Sequence, residues 1–155
     1  MTDTTTEARR DGSRAVFARQ LKLLETGGIT EWVALFHPDG VLEFPYAPPG
    51  FPREVRGTEA IHAHMRNFPE QLDVTFSGVV HHDTVDPELV VAEFEAVGTA
   101  LVSGRPFRQR YVSLLWLRDG RITRYRDYWN PLAVLAAIGG PDTFRELFAD
   151  PAAGG

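Results

Sequence analysis

Arg105-Pro106-Phe107-Arg108-Gln109-Arg110-Tyr111, continuing to Leu117, and the run from Arg121 to Asp127-Tyr128-Trp129-Asn130-Pro131 decide the fold of this chain. A long alternating run, a tight Arg118-Asp119-Gly120 turn and a second alternating run read as a β-hairpin. Asn130-Pro131 then opens a helix, since asparagine caps helices well and proline suits the first helical position. Residues two apart on a strand share a face, so Asp127 points the same way as Tyr125 and Trp129. If that way is inward, a carboxylate sits in an apolar pocket, the setting in which carboxylates acquire shifted pKa values and acid/base roles.

Upstream of this hairpin the period-two pattern extends back to Leu72. It predicts strands over about Val74–Val85 and Leu89–Val102, joined at Asp86-Pro87, with the next turn at Ser103-Gly104-Arg105-Pro106. The two strands of the opening hairpin are predicted over Phe107–Leu117 and Arg121–Asn130. Earlier still the period is helical. Val16, Phe17, Gln20, Leu21 and Leu24 predict a helix over Ser13–Thr26, ended by Gly27-Gly28. Thr30 caps a short helix carrying Trp32, Val33 and Phe36 and stopped by His37-Pro38. Gly40–Tyr46 reads as a strand, the proline-rich 47–56 segment as a loop, and Thr58–Asn67 as a third helix. Helices first and an antiparallel meander last make the fold class α+β.

At 155 residues the chain fits one domain, predicted over 13–148, with a disordered tail at 1–12 and a flexible one at 149–155. With 43% hydrophobic and 24% charged residues it has the balance of a soluble globular protein. The absence of cysteine excludes disulfides and thiolate metal sites, and the net charge of −5 argues against nucleic acid or anionic membranes as partners. No segment approaches the roughly 20 apolar residues of a membrane span, and the polar start lacks the apolar core of a signal peptide. The expectation is a cytoplasmic protein.

A four-residue loop at 103–106 pairs Val102 with Phe107, which sets Ala100 opposite Gln109, Gly98 opposite Tyr111 and Ala96 opposite Ser113. Small residues facing polar ones leave room, as a pocket wall does. The other face mixes Glu93, Glu95, Arg108 and Arg110 with Val97, Val112, Leu114 and Trp116. An apolar centre ringed by charge suits a homodimer contact through the outer sheet face.

Three segments carry a family resemblance: 24–36 around Glu31-Trp32, Gly57-Thr-Glu-Ala-Ile61, and Gly104-Arg-Pro-Phe through Tyr128-Trp-Asn-Pro131. In order and spacing they resemble the NTF2-like (cystatin-like) cone shared by nuclear transport factor 2, ketosteroid isomerase and the SnoaL-like, polyketide-cyclase-like proteins. In that cone, N-terminal helices pack on a curved antiparallel or mixed sheet that encloses a pocket. The last segment, with Leu135 and Gly139-Gly140, also resembles the phenazine-biosynthesis A/B proteins. That resemblance implies that an acidic residue before an aromatic-x-Asn-Pro ending works in the pocket, and Asp127 stands at the matching position. The ketosteroid isomerases supply a contrast. Phe44 precedes Pro45 where their base would be, Gln20 stands for their oxyanion tyrosine, and Ser113 falls near their second aspartate. Steroid isomerisation by that machinery is therefore not expected.

Asp127 is the leading acid/base candidate, against the alternative of a surface carboxylate paired with Arg124 or Arg126. His64 lies in an apolar stripe with Ala60, Ile61, Met65 and Phe68, which usually marks a core histidine. The resemblance places that stripe under the pocket and makes His64 the proton partner of Asp127. Tyr111, Ser113, Gln20 and Gln109 are candidates to hydrogen-bond a substrate oxygen. Trp32, Phe44, Met65, Phe94 and Trp129 are candidate walls, roles that core packing explains equally well. His81-His82-Asp83 does not read as a metal site, because neighbours on a strand face opposite ways. No nucleotide fingerprint or nucleophile elbow occurs, so no cofactor and no metal are expected.

The expected function is cofactor-independent acid/base catalysis on a small hydrophobic carbonyl-containing metabolite, as an isomerase, cyclase or dehydratase in natural-product or catabolic metabolism. The alternative is a non-catalytic small-molecule-binding or dimerisation module. A weaker alternative, epoxide hydrolysis, requires an inward arginine beside Asp127. A roomy Asp-containing cavity favours the enzyme; a core filled by Phe and Trp favours the module.

Overall fold

The computed structural model describes residues 4–140 and 142. Helices α1 (Thr4–Thr26) and α2 (Ile29–Val33) lead into strand β1 (Phe36–Glu43) and the short strand β2 (Glu54–Arg56). Helices α3 (Thr58–Met65) and α4 (Phe68–Gln71) follow. Strands β3 (Leu72–His82), β4 (Leu89–Ala100), β5 (Arg105–Arg118) and β6 (Arg121–Trp129) then form the meander, and helix α5 (Pro131–Ile138) closes the described fold. One six-stranded sheet runs β2-β1-β6-β5-β4-β3. Every pairing is antiparallel except β1 with β6, where Leu42 faces Tyr125 and Glu43 faces Arg126. The sheet is thus mixed and curved around the helices, the α+β class that the sequence pattern predicts in the cone that the resemblance implies.

Period-two patterning sets the faces of the sheet correctly. Inward residues of β4 and β5, among them Val90, Ala92, Phe94, Phe107 and Leu115, are buried. The turn between these strands lies two residues earlier than expected, at 101–104, with Gly104 at φ 73° and its N–H on the Ala100 carbonyl at 2.8 Å. Leu101 and Val102 are each 47% exposed, so their apolar character does not extend the strand. In consequence Phe94, not Gly98, faces Tyr111, and Ala92, not Ala96, faces Ser113. The slip is an even number of residues on the partner strand, so each side chain keeps its face and changes only its neighbour.

Two boundaries also move. Residues 4–12, expected as a disordered tail, are helical. Arg9 pairs with Glu88, Arg14 with Asp83 at 2.6 Å, and Arg10 donates to the Thr84 carbonyl at 3.0 Å, so the β3–β4 connection anchors this first part of α1. Gly12 and a weakly periodic pattern hide that extension in the sequence. His37-Pro38 does not merely stop a helix but lies inside β1, and Pro69 starts α4 instead of ending a helical region. The expected domain end at 148 and the tail 149–155 lie outside the described residues. No helix among the described residues is long and apolar enough to cross a membrane.

Asn130 caps α5, its side chain accepting from the Leu132 N–H at 3.0 Å, with Pro131 at the first helical position. Gln109 holds the same residue by its backbone. Its Nε2 donates to the Asn130 carbonyl at 2.8 Å, and its Oε1 accepts from the Asn130 N–H at 3.0 Å. The end of β6 and the start of α5 are thereby fixed to β5. Gly98 serves the other edge of the sheet, since a Cβ there would stand 1.8 Å from the Asp73 carbonyl oxygen. Gly98→Ala therefore forces β3 and β4 apart, and a loss of about 1–3 kcal/mol in urea unfolding is expected. An unchanged midpoint would contradict this close approach.

Candidate active site

Three cross-strand rows on the inner face build the site. Phe94, Tyr111 and Trp129 form one row across β4, β5 and β6; Ala92, Ser113 and Asp127 form the next; Val90, Leu115 and Tyr125 form the third. The middle row is small beside its neighbours, and both Ala92 and Ser113 are fully buried. The Asp127 carboxyl therefore lies in a notch flanked by larger side chains. It lines a cavity of about 650 Å³, partly open to solvent.

Ser113 holds this carboxyl. Its hydroxyl donates to Asp127 Oδ1 at 2.7 Å. Oδ2 has no hydrogen-bond partner among the described residues. Burial pushes the Asp127 pKa up from 3.8 to about 7, and the Ser113 hydrogen bond pulls it partly back. Desolvation wins because a single neutral donor cannot replace the hydration of a carboxylate. Tyr111 and Tyr125 line the same cavity. Burial, then the Asp127 charge, raises both hydroxyls above the usual tyrosine range, so they stay protonated donors at neutral pH. Ser113 and Gln20, beside the Tyr125 hydroxyl, oppose its shift in part.

His64 lines the cavity from α3. Its ring packs on Phe51 and Phe44, with centroids 5.4 and 5.5 Å away, and these two rings pack in turn on Trp129 at 5.5 and 6.1 Å. Burial lowers its pKa below 6.5, so the imidazole is neutral at pH 7. No hydrogen bond joins His64 to Asp127 among the described residues.

The remaining candidates divide. Trp32, Phe44, Met65, Phe94 and Trp129 line the cavity. Ser113, Gln20 and Gln109 do not. They are buried behind the wall, where each has a side-chain atom bonded to another protein group. Gln109 clamps Asn130, Ser113 holds Asp127, and Gln20 Oε1 accepts from Trp32 Nε1 at 3.0 Å. Gln20 Nε2 has no partner in hydrogen-bond geometry among the described residues, although its amide lies close enough to Tyr125 to influence that hydroxyl. Arg108 and Arg110 are exposed on the outer face, Arg110 pairing with Glu95 at 2.9 Å. The arginine that epoxide hydrolysis requires is therefore not supplied by β5. Among the described residues no three His, Asp or Glu side chains cluster as metal ligands.

Tyr125 and Phe51 are among the lining residues that the sequence did not mark as site residues. Tyr125 shares the period-two face of Asp127, a signal that was present but read only as apolar surroundings. Phe51 lies in the proline-rich loop, where no periodicity marks an inward side chain.

The SnoaL-like domain family matches residues 17–125. An uncharacterised PhzA/B-like protein of Pseudomonas aeruginosa is 51% identical over 135 residues, covering 87% of this chain and 96% of that protein. A crystal structure of a candidate isomerase from Bacillus subtilis is 35% identical with a TM-score of 0.83, covering 86% of this chain and 96% of the other. A phenazine-biosynthesis-related protein of Pseudomonas aeruginosa shares the fold at 20% identity and a TM-score of 0.74, covering 88% and 91% of the two chains. The fold family includes structures described as polyketide cyclases and ketosteroid-isomerase-like proteins.

Removal of the Ser113 hydroxyl takes away the one contact that opposes desolvation. Ser113→Ala is expected to move the Asp127 titration midpoint above about 7, read from the carboxyl carbon by NMR. A midpoint that stays in place or falls would refute the assignment.

Proposed function

This chain belongs to the SnoaL-like domain family, and from its site we propose that it is a cofactor-independent acid/base enzyme. Its substrate is a small hydrophobic carbonyl compound, and the reaction is an isomerisation, cyclisation or dehydration. The observation that carries this reading is Asp127, a desolvated carboxyl in an apolar cavity with one oxygen held by Ser113 and the other unpartnered among the described residues.

The proposed mechanism follows from the row geometry. Ionised Asp127 takes a proton from the carbon next to the substrate carbonyl through Oδ2. Negative charge moves to the carbonyl oxygen, where the Tyr111 or Tyr125 hydroxyl donates to it. Asp127 then returns the proton at another carbon, which is isomerisation. Alternatively, the enolate expels a β-hydroxyl that leaves as water with the proton held by Asp127, or closes on a second carbonyl whose new alkoxide takes that proton, giving dehydration or cyclisation. Neutral His64, packed on Phe44 and Phe51 in the same cavity, serves as a second proton carrier through the bound substrate. A raised pKa suits this work, because a base titrating near 7 is both available and strong at neutral pH. The cavity volume favours this reading over a module with a filled core.

Exchange of α-protons in D₂O tests the proposal without knowledge of the natural substrate. The protein is expected to accelerate deuterium uptake by aromatic ketones, with a rate that rises with pH through about 7 as Asp127 ionises. Asp127→Asn is expected to lose about 10²–10⁴-fold in that rate with its circular dichroism and unfolding temperature retained. Exchange that survives in the variant would remove Asp127 from the mechanism.

A homodimer through the outer sheet face belongs to the same proposal. Val97 is 42% exposed there beside the Glu95–Arg110 pair, and a second copy turned by a two-fold axis sets glutamate against arginine at both ends. Sedimentation at micromolar concentration should give the dimer mass, and a monomer would rule this contact out.

A further inference from the structure

The direction of the hydrogen bonds behind the Asp127 notch follows from which groups can only donate. An indole N–H has no acceptor function. The Gln20 atom that meets Trp32 Nε1 at 3.0 Å is therefore the amide oxygen, and the other end of the amide is an NH2 that can only donate. Gln20 is fully buried, and this Nε2 has no partner in hydrogen-bond geometry among the described residues. A buried N–H without an acceptor is costly. The acceptor beside it is the Tyr125 hydroxyl, which has both Gln20 and Ser113 as hydrogen-bonding neighbours. The Tyr125 ring is itself held, 6.0 Å from the Trp32 ring and stacked on Phe36 with centroids 6.4 Å apart.

The other end is equally constrained. An ionised carboxylate only accepts, so Ser113 gives its single hydroxyl proton to Asp127 Oδ1 at 2.7 Å. Toward Tyr125 the Ser113 oxygen is then left as an acceptor. Tyr111 stands apart from these groups. It lies on the row of Phe94 and Trp129, with its ring stacked on Phe94 at 5.0 Å, and it lines the cavity. No group among the described residues hydrogen-bonds to its hydroxyl.

We infer that Trp32, Gln20, Tyr125 and Ser113 form one directed donor chain that ends on Asp127, which makes Gln20 and Tyr125 positioning residues and leaves Tyr111 as the donor to a ligand oxygen. The Tyr125 proton is committed to Ser113 and is not offered to the cavity. Each donor polarises the next, so the chain as a whole favours the charged form of Asp127. This deepens the proposed function by choosing between its two tyrosines, and it rests on that reading in taking the cavity as the ligand site.

Single hydroxyl deletions separate the two roles. In ligand-free protein, Tyr125→Phe removes the donor behind Ser113, so the Asp127 titration midpoint, read from the carboxyl carbon by NMR, is expected to rise above about 7. Tyr111→Phe is expected to leave that midpoint in place. Gln20→Met is expected to raise it by less than Tyr125→Phe and to lower the unfolding temperature, since Trp32 loses its acceptor. With 2-acetylnaphthalene carrying ¹³C at its carbonyl, the bound carbon is expected to resonate upfield in Tyr111→Phe, where the polarising donor is gone, and unmoved in Tyr125→Phe. In the deuterium-exchange assay Tyr111→Phe is expected to lose about 10²–10³-fold at every pH. Tyr125→Phe is expected to displace the pH inflection of that rate upward.

An Asp127 midpoint that stays in place or falls in Tyr125→Phe would overturn the chain, and an unmoved midpoint in Gln20→Met would remove Gln20 from it. A bound carbonyl resonance that is the same in Tyr111→Phe as in the unsubstituted protein, or that moves in Tyr125→Phe, would overturn Tyr111 as the donor. Failure of the ketone to bind would overturn the ligand-facing role of Tyr111 and this inference with it. The expected NMR results without α-proton exchange would leave the inference standing and sink only the catalytic reading.

Discussion

Desolvation of the Asp127 carboxyl is the constraint around which the inner face is organised. A carboxylate removed from water without a cation nearby is costly, and the fold answers with one hydroxyl, from Ser113 on the facing strand. The small side chains of Ala92 and Ser113 on the same row leave the notch in which this carboxyl lies. Larger residues there would fill the notch, and a cation there would hold the carboxyl permanently ionised. The site thus stays poised because it is incompletely compensated.

The rest of the buried polarity keeps that notch in place without entering it. Gln109 ties Asn130 to β5 by both backbone groups, which fixes where β6 ends and α5 begins. Gln20 receives the Trp32 indole N–H and thereby links α1 to α2 behind the cavity wall. These residues have the polarity of substrate-binding groups, yet they are buried and bond to protein groups, Gln109 through both ends of its amide and Gln20 through Oε1. Buried amides and hydroxyls have to be satisfied somewhere, and helix and strand ends offer many backbone partners.

Much of this was legible in the chain. Alternation along β4, β5 and β6 assigns faces because the strand period is two, and a slip of two residues in the turn cannot change a face. Asp127, Tyr125 and Trp129 could therefore be placed together before their neighbours were known. Register could not be read in the same way. Leu101 and Val102 look like strand residues, and only the closure of the turn at Gly104 shows that the strand ends at Ala100. The division between wall and support was hidden too, since Gln109 and Tyr111 alternate on the same strand face and differ only in whether a protein group reaches them. The helical residues 4–12 depend on ion pairs to the distant β3–β4 connection, and no local pattern announces a partner about 70 residues away.

On the proposed reading, the base of this cone stands on a different strand from the one that the ketosteroid-isomerase resemblance implies. Phe44, just beyond β1, occupies the place where that resemblance would put the catalytic carboxylate, and the carboxylate of this chain stands on the neighbouring strand β6. The two strands run side by side in parallel, with Leu42 opposite Tyr125. Phe44 and Trp129, which follow Leu42 and Tyr125 in the chain, meet at the same wall, with centroids 6.1 Å apart. A carboxylate on either strand faces the same enclosed volume, because both line the inside of one curved sheet. Under the proposed mechanism, what changes is the direction from which the proton is taken, and with it the shape of molecule that presents an acidic C–H bond to Oδ2. In such a cone the fold fixes a desolvated volume, and the strand that carries the acid sets the chemistry.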